Sequence, residues 1–241
     1  MVSKSNYFFF YFFNLYITQM ELLEITDLNK SYGKKVILKN ISLECEIGEI
    51  IEIFGRNGAG KSTLLKLIFG TVKADSIHLK INSETISQKE IITSKKIAYL
   101  PQDTFLPKEL KVRAIIPLFF PNGDEQNKIF YSPQISSFEK IKVGKLSLGQ
   151  LRYLELLIIG NLNHPFLMLD EPFSMIEPIY KDVIKKLLLK LKESKGIILT
   201  DHYYNDVLQV TNKNFVIKDA KKNEIKTKKD LVKYKYLNSN E

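Results

Sequence analysis

The stretch Gly55-Arg56-Asn57-Gly58-Ala59-Gly60-Lys61-Ser62 constrains this chain more than any other. It follows the strand-like run 49–54, rich in isoleucine, and precedes 62–69, where Leu64, Leu65, Leu67 and Ile68 are apolar. A strand, a glycine loop and a helix in that order form a phosphate-binding loop. Glycines let backbone N–H groups turn inward and converge on anionic oxygens. The helix that follows aims its positive end at the same point. In that setting Lys61 reaches the β and γ phosphates of a nucleoside triphosphate, and the Ser62 hydroxyl is placed for Mg2+. Arg56, Asn57, Ala59 and Thr63 complete the loop and the first turn. The context on both sides separates the motif from a chance glycine-rich turn.

Two further strands end in candidate chemistry. Residues 166–169 are fully apolar, as in a strand buried on both faces of a parallel sheet, and run into Asp170 and Glu171. Ligands of an open α/β sheet sit at that carboxyl edge. Asp170 fits a ligand of Mg2+ through water, and Glu171 fits a general base for the attacking water. Taken alone, a helix cap competes for the same residues. The buried run 196–200 leads to Asp201 and His202. A histidine at a strand end can contact a γ-phosphate and orient water; a surface turn histidine is the competing reading.

Further strands are expected over 22–28, 41–47, 77–81, 97–100 and 215–218, with a turn at Tyr32-Gly33. Helices are expected over 148–160, 179–191 and 203–210. Residues 103–145 carry Pro107, Pro117, Pro121 and Pro133 and lack long periodicity outside 112–120. They read as an inserted lobe of short helices and loops, extending to about residue 160 with the helix that follows. Alternating strands and helices then define an α/β fold: a phosphate-loop core with a mainly parallel sheet, an antiparallel β edge and a small inserted α-helical lobe. The Lys-rich tail from Lys218 onward reads as a solvated face.

Composition sets the remaining bounds. The 241 residues carry a net charge of +9, which suits nucleic acid, anionic lipid or an acidic partner, or reflects a general compositional habit. The single cysteine, Cys45, allows no internal disulfide and fits a reducing compartment. It sits in the alternating run 41–47 and reads as a packed strand residue. Residues 7–17 form a dense aromatic run, too short for the ~20 residues that span a bilayer. No small-residue cleavage site follows it. A start at Met20 is the expectation, with 1–19 an apolar extension that is not translated and 20–241 the domain.

With these residues in place, the chain resembles the ATP-binding cassette (ABC) family from Met20 onward. Leu146-Ser147-Leu148-Gly149-Gln150 is similar to that family's signature, usually LSGGQ. Gln102, in Tyr99-Leu100-Pro101-Gln102, is similar to its glutamine loop, a Mg2+ and water contact between lobes. Tyr32 matches the aromatic that stacks on adenine, and His202 the switch histidine. The resemblance implies a dimer of ATP-binding subunits, homomeric or heteromeric, that sandwiches ATP head to tail. Ser147, Gly149 and Gln150 then meet the partner's ATP. Two departures stand out. Leu148 replaces the first glycine of the signature, as a larger residue also does in the branched-chain amino-acid cassettes, so activity is expected to survive. Glu177 stands where the family usually has an aspartate.

The resemblance further implies an ATPase that drives transport through separate integral membrane subunits, docked by the lobe at the cytoplasmic face, with no nucleic acid partner. The alternative is a soluble cassette ATPase without a transport role. Such proteins usually join two cassettes or carry long coiled insertions, and this chain does neither. A phosphate-loop kinase is a third class, opposed by the signature. Within the transporters, Asp170-Glu171-Pro172-Phe173 and Thr200-Asp201-His202 resemble the lipopolysaccharide-export type, and the branched-chain amino-acid type shares several such segments.

Overall fold

A computed structural model describes residues 21–237; the aromatic run and the expected start at Met20 lie outside them. In chain order the N-terminal part comprises β1 (Leu22–Tyr32), β2 (Lys35–Glu46), β3 (Ile50–Phe54), α1 (Lys61–Phe69), β4 (Ser76–Ile81), β5 (Glu84–Ile86), α2 (Ile91–Ser94) and β6 (Ile97–Leu100). Three helices follow, α3 (Val112–Phe119), α4 (Gly123–Phe130) and α5 (Ile135–Phe138), with a 3-10 turn at Val143–Lys145. The chain continues through α6 (Leu148–Asn161), β7 (Phe166–Asp170), α7 (Pro178–Lys192), β8 (Gly196–Thr200), α8 (Tyr204–Val207), β9 (Lys213–Lys218), β10 (Lys221–Ile225) and α9 (Lys228–Lys233).

The strands form two sheets. A four-stranded sheet, in the order β2-β1-β4-β5, is antiparallel throughout. A six-stranded sheet has the order β10-β9-β3-β8-β7-β6, parallel except for the β9–β10 hairpin. Every residue of β3, β7 and β8 is buried, which is why 166–169 and 197–199 read as unbroken apolar runs rather than alternating ones; β3 is interrupted by the buried Glu52.

Alternate side chains of a strand point to opposite faces, and that period divides the core into two layers. Ile51, Ile53, Phe166, Met168 and Ile198 join α1 and the antiparallel sheet on one face. Ile50, Phe54, Leu167, Leu169, Ile197 and Leu199 face α6, α7 and the helical segment 112–138 on the other. Ser147 caps α6: its hydroxyl accepts the Gln150 N–H while the Gln150 side chain accepts the Ser147 N–H.

Two expectations need correction. The helix expected over 203–210 is confined to Tyr204–Val207. The Lys-rich tail is not simply a solvated face: it forms β10 and α9, and buries Ile225, Leu231 and Leu237. Those three apolar anchors are spaced too widely among lysines to produce a periodic signal.

Candidate functional site

The site grows from the end of β3. Gly58 and Gly60 take φ of 78° and 102°, in the left-handed region, so the loop can turn its amides inward. A Cβ at Gly60 would also lie 2.9 Å from Ile37 Cγ2. Lys61 and Ser62 open the first turn of α1. The loop borders a cavity of about 470 Å3 lined by Ile37, Arg56–Thr63, Gln102, Glu171 and His202.

Within it, Lys61 Nζ donates to Gly55 O at 2.8 Å and lies 3.5 Å from His202 Nε2. Burial pushes the Lys61 ammonium below its ordinary range, against the pull of Glu171, Glu52, Asp170 and Asp201. Asp170 ends β7. Its Oδ1 accepts the Ser62 hydroxyl at 3.0 Å and the Thr200 hydroxyl at 2.8 Å, and its Oδ2 accepts the Tyr99 hydroxyl at 3.0 Å. Glu171 has φ of 55°, a conformation that a non-glycine residue holds only when its surroundings fix it. Its Oε1 lies 3.0 Å from His202 Nε2, and its Oε2 accepts from Gln102 at 3.1 Å and from Ser174 at 2.8 Å. Phosphate-loop, strand-end and histidine residues far apart in sequence thus meet in one cleft.

Tyr32, Ser147, Gly149 and Gln150 do not line this cavity. Tyr32 stands 54 % exposed at the end of β1, with Lys30 Nζ 4.8 Å from its ring centre. The Ser147–Gln150 segment forms the start of α6, where Leu148 is more than half exposed. Gly149 is packed under Glu177 and Tyr180, and any Cβ there would collide with both.

Several residues here escaped the sequence reading. Arg152 is buried in α6, and its guanidinium donates to the carbonyls of Pro101, Asp170 and Glu171 and pairs with Glu155 at 3.4 Å. Burial lowers the Arg152 pKa and raises that of Glu155. An Arg and a Glu three residues apart in an apolar helix were a legible signal, because charge is rarely buried unless paired. Tyr99 and Thr200 gave no such signal.

A glycine loop at the carboxyl edge of a parallel sheet, with acids at the end of β7, one strand removed from β3, defines a phosphate-loop nucleoside triphosphatase. The sequence pattern of the ABC transporter family matches residues 38–174. The chain is similar to the lipopolysaccharide export system ATP-binding protein LptB of Acidithiobacillus ferridurans, 27 % identical over 212 residues, covering 83 % of this chain and 88 % of that one. LptB of Escherichia coli K12 is 28 % identical, covering 82 % and 87 %. Among solved structures, a nucleotide-free ATP-binding cassette from an ABC transporter superposes with a TM-score of 0.77 at 22 % identity, covering 91 % of this chain and 96 % of that one. An ATP-binding cassette in its ADP conformation gives 0.74 at 24 % identity, covering 85 % and 90 %. The chain belongs to the ABC transporter family. It is an ATP-binding subunit of that family, an ATPase whose hydrolysis drives transport. Among the described residues no helix is long and apolar enough to cross a membrane.

Proposed function

We propose that ATP is held by Arg56, Asn57, the Gly55–Gly60 loop, Lys61, Ser62 and Thr63, with its adenine stacked on Tyr32. Lys61 binds the β and γ phosphates. Glu171 takes the proton of the attacking water, and His202 orients that water against the γ-phosphate. The single observation that carries this reading is the position of His202 Nε2, within 3.5 Å of both Lys61 Nζ and Glu171 Oε1. Phosphate binder and base are thereby held on either side of one imidazole.

The donor set also fits Mg2+. A hydroxyl and a carboxylate oxygen, Ser62 Oγ and Asp170 Oδ1, face each other at 3.0 Å, and Mg2+ selects hard oxygen donors. Ser62 would hold it directly, Asp170 through water and Gln102 at the edge. When bound, the ion neutralises charge on the β and γ oxygens. Ser62 and Thr200 meanwhile keep the Asp170 carboxylate aimed at that place.

Ser147, Gly149 and Gln150 meet the ATP of a second copy or a related subunit, which explains why the signature lies outside its own cavity. The pair docks on integral membrane subunits at the cytoplasmic face through the lobe around residues 103–145. Similarity to lipopolysaccharide-export proteins supports a motor of that kind, with cargo chosen by the membrane partner.

Glu171→Gln is expected to bind ATP normally and to hydrolyse it about 100-fold or more slowly, the usual worth of a general base. Equilibrium binding of a fluorescent ATP analogue and phosphate release check it; an undiminished rate removes Glu171 from the role. Co-purification of an integral membrane protein with the tagged chain checks the partner, and its absence from detergent extracts counts against transport through separate subunits.

A further inference from the structure

Glu171 and His202 follow different strands, and one buried side chain joins the loops that carry them. Asp201 is fully buried. Its Oδ2 accepts the Phe173 N–H at 2.7 Å, and its Oδ1 accepts the N–H groups of His202 at 2.7 Å and Tyr203 at 2.9 Å. The backbone N–H of Asp201 donates at 3.0 Å to Oε1 of Glu52, which is fully buried in β3. Since β3 leads into Gly55, the phosphate loop, the Glu171 loop and the His202 turn are all referred to Asp201.

We infer that Asp201 is a positioning residue for hydrolysis: it clips the loop bearing Glu171 to the turn bearing His202, and Glu52 anchors the clip. The inference rests on the roles proposed above for Glu171 and His202. Its physical basis is the left-handed backbone at Glu171, which needs external restraint. One restraint is the Glu171 N–H donating to Thr200 O at 2.7 Å. The Asp201 clip, two residues further on, supplies a second. A buried carboxylate that accepts backbone N–H groups makes charge-assisted bonds, stronger than neutral ones. Phe173 is itself fully buried, so this loop is held at both its side chain and its amide.

Asparagine separates the two halves of the clip. Asp201→Asn can keep Oδ1 toward His202 and Tyr203, but it then presents an NH2 donor to the Phe173 N–H. Asp201→Ser keeps a short acceptor for the local turn and leaves the Phe173 amide without a partner, with no repulsion. The purified full-length chain and these variants would be compared for binding of a fluorescent ATP analogue, steady-state hydrolysis and hydrogen exchange at the Phe173 amide, with Glu171→Gln alongside.

The expected result is a fall in kcat on the order of 100-fold, as small misplacement of a catalytic group costs, with nucleotide affinity at the wild-type level. The Phe173 amide should exchange as slowly as the core strands in the wild type and much faster in both variants. A folded variant hydrolysing at the wild-type rate overturns the inference, as does an equal fall in affinity and kcat. If neither variant folds, rapid exchange of Phe173 in the wild type overturns it, and slow exchange supports it. A wild-type rate in Glu171→Gln removes the base assignment and this inference with it. Loss of activity in Glu171→Gln with full activity in Asp201→Asn removes the clip alone.

Discussion

Arg152 shows what one side chain can do when water is excluded. Its side chain is 8 % exposed and Glu155 beside it 2 %. Arg is suited to the place because its planar fork reaches several acceptors at once, here three carbonyls on two loops as well as a carboxylate. Removing one partner of a buried pair leaves an uncompensated charge. Arg152→Met should therefore destabilise the fold by about 3–5 kcal/mol, and Arg152→Met with Glu155→Met by less than that. Urea denaturation of both variants checks the order. A single variant as stable as the wild type would show that the guanidinium network is not holding Pro101, Asp170 and Glu171 together. The sequence displayed the phosphate loop and the two strand ends because their chemistry uses fixed spacings. Asp201 and Thr200 act through backbone amides or hydroxyls of distant segments, and spacing along the chain does not record such contacts.

At the scale of elements, close approach decides as much as pattern does. Gly196 opens β8, where a Cβ would lie 2.8 Å from the carbonyl of Glu46 and 2.8 Å from Phe166 Cδ1. One neighbour is backbone of the antiparallel sheet and the other a fully buried ring, so neither gives way cheaply. Gly196→Ala should cost about 1–3 kcal/mol, as overpacking does, and lower the thermal midpoint. Calorimetry with the midpoint unmoved would mean that the two sheets part there without strain. Strands such as β7 and β8 were legible because burial on both faces writes a continuous apolar run, and β3, despite Glu52, because it leads into the glycine loop. The ends of β1 and β2 were not, since Ser31, Tyr32 and Lys35 pair only through the hairpin at Gly33. The elements β10 and α9 were missed for a related reason: cross-strand pairing with β9 and three buried anchors outweigh a lysine-rich composition.

At the scale of the whole molecule, burial reaches titratable groups as well as apolar ones. Glu52 is fully buried in β3, and its Oε2 has no hydrogen-bond partner among the described residues. Burial first, then the nearby Asp201 and Glu171 carboxylates, push its carboxyl well above the ordinary range, while the Asp201 N–H and Lys61 oppose the shift. Asp201 is raised as well, by burial first, while the amides of Tyr203, Phe173 and His202 draw it back toward the ionised form that its clip uses. A raised acid keeps in the folded state a proton that the unfolded chain releases. Its contribution to stability is full below the unfolded carboxylate value and is lost as pH rises through the folded one. Folding should thus weaken as pH climbs from about 4.5 into the neutral range, by up to ~1.4 kcal/mol per pH unit for each proton held. Glu52→Gln copies the shape of the neutral acid and keeps an acceptor for the Asp201 N–H. It should flatten that slope. Denaturant midpoints taken from about pH 5 to 8 for both chains provide the check, since this is the span above the unfolded value. Parallel curves would mean that Glu52 enters the folded core already ionised, with Lys61 supplying the compensating charge.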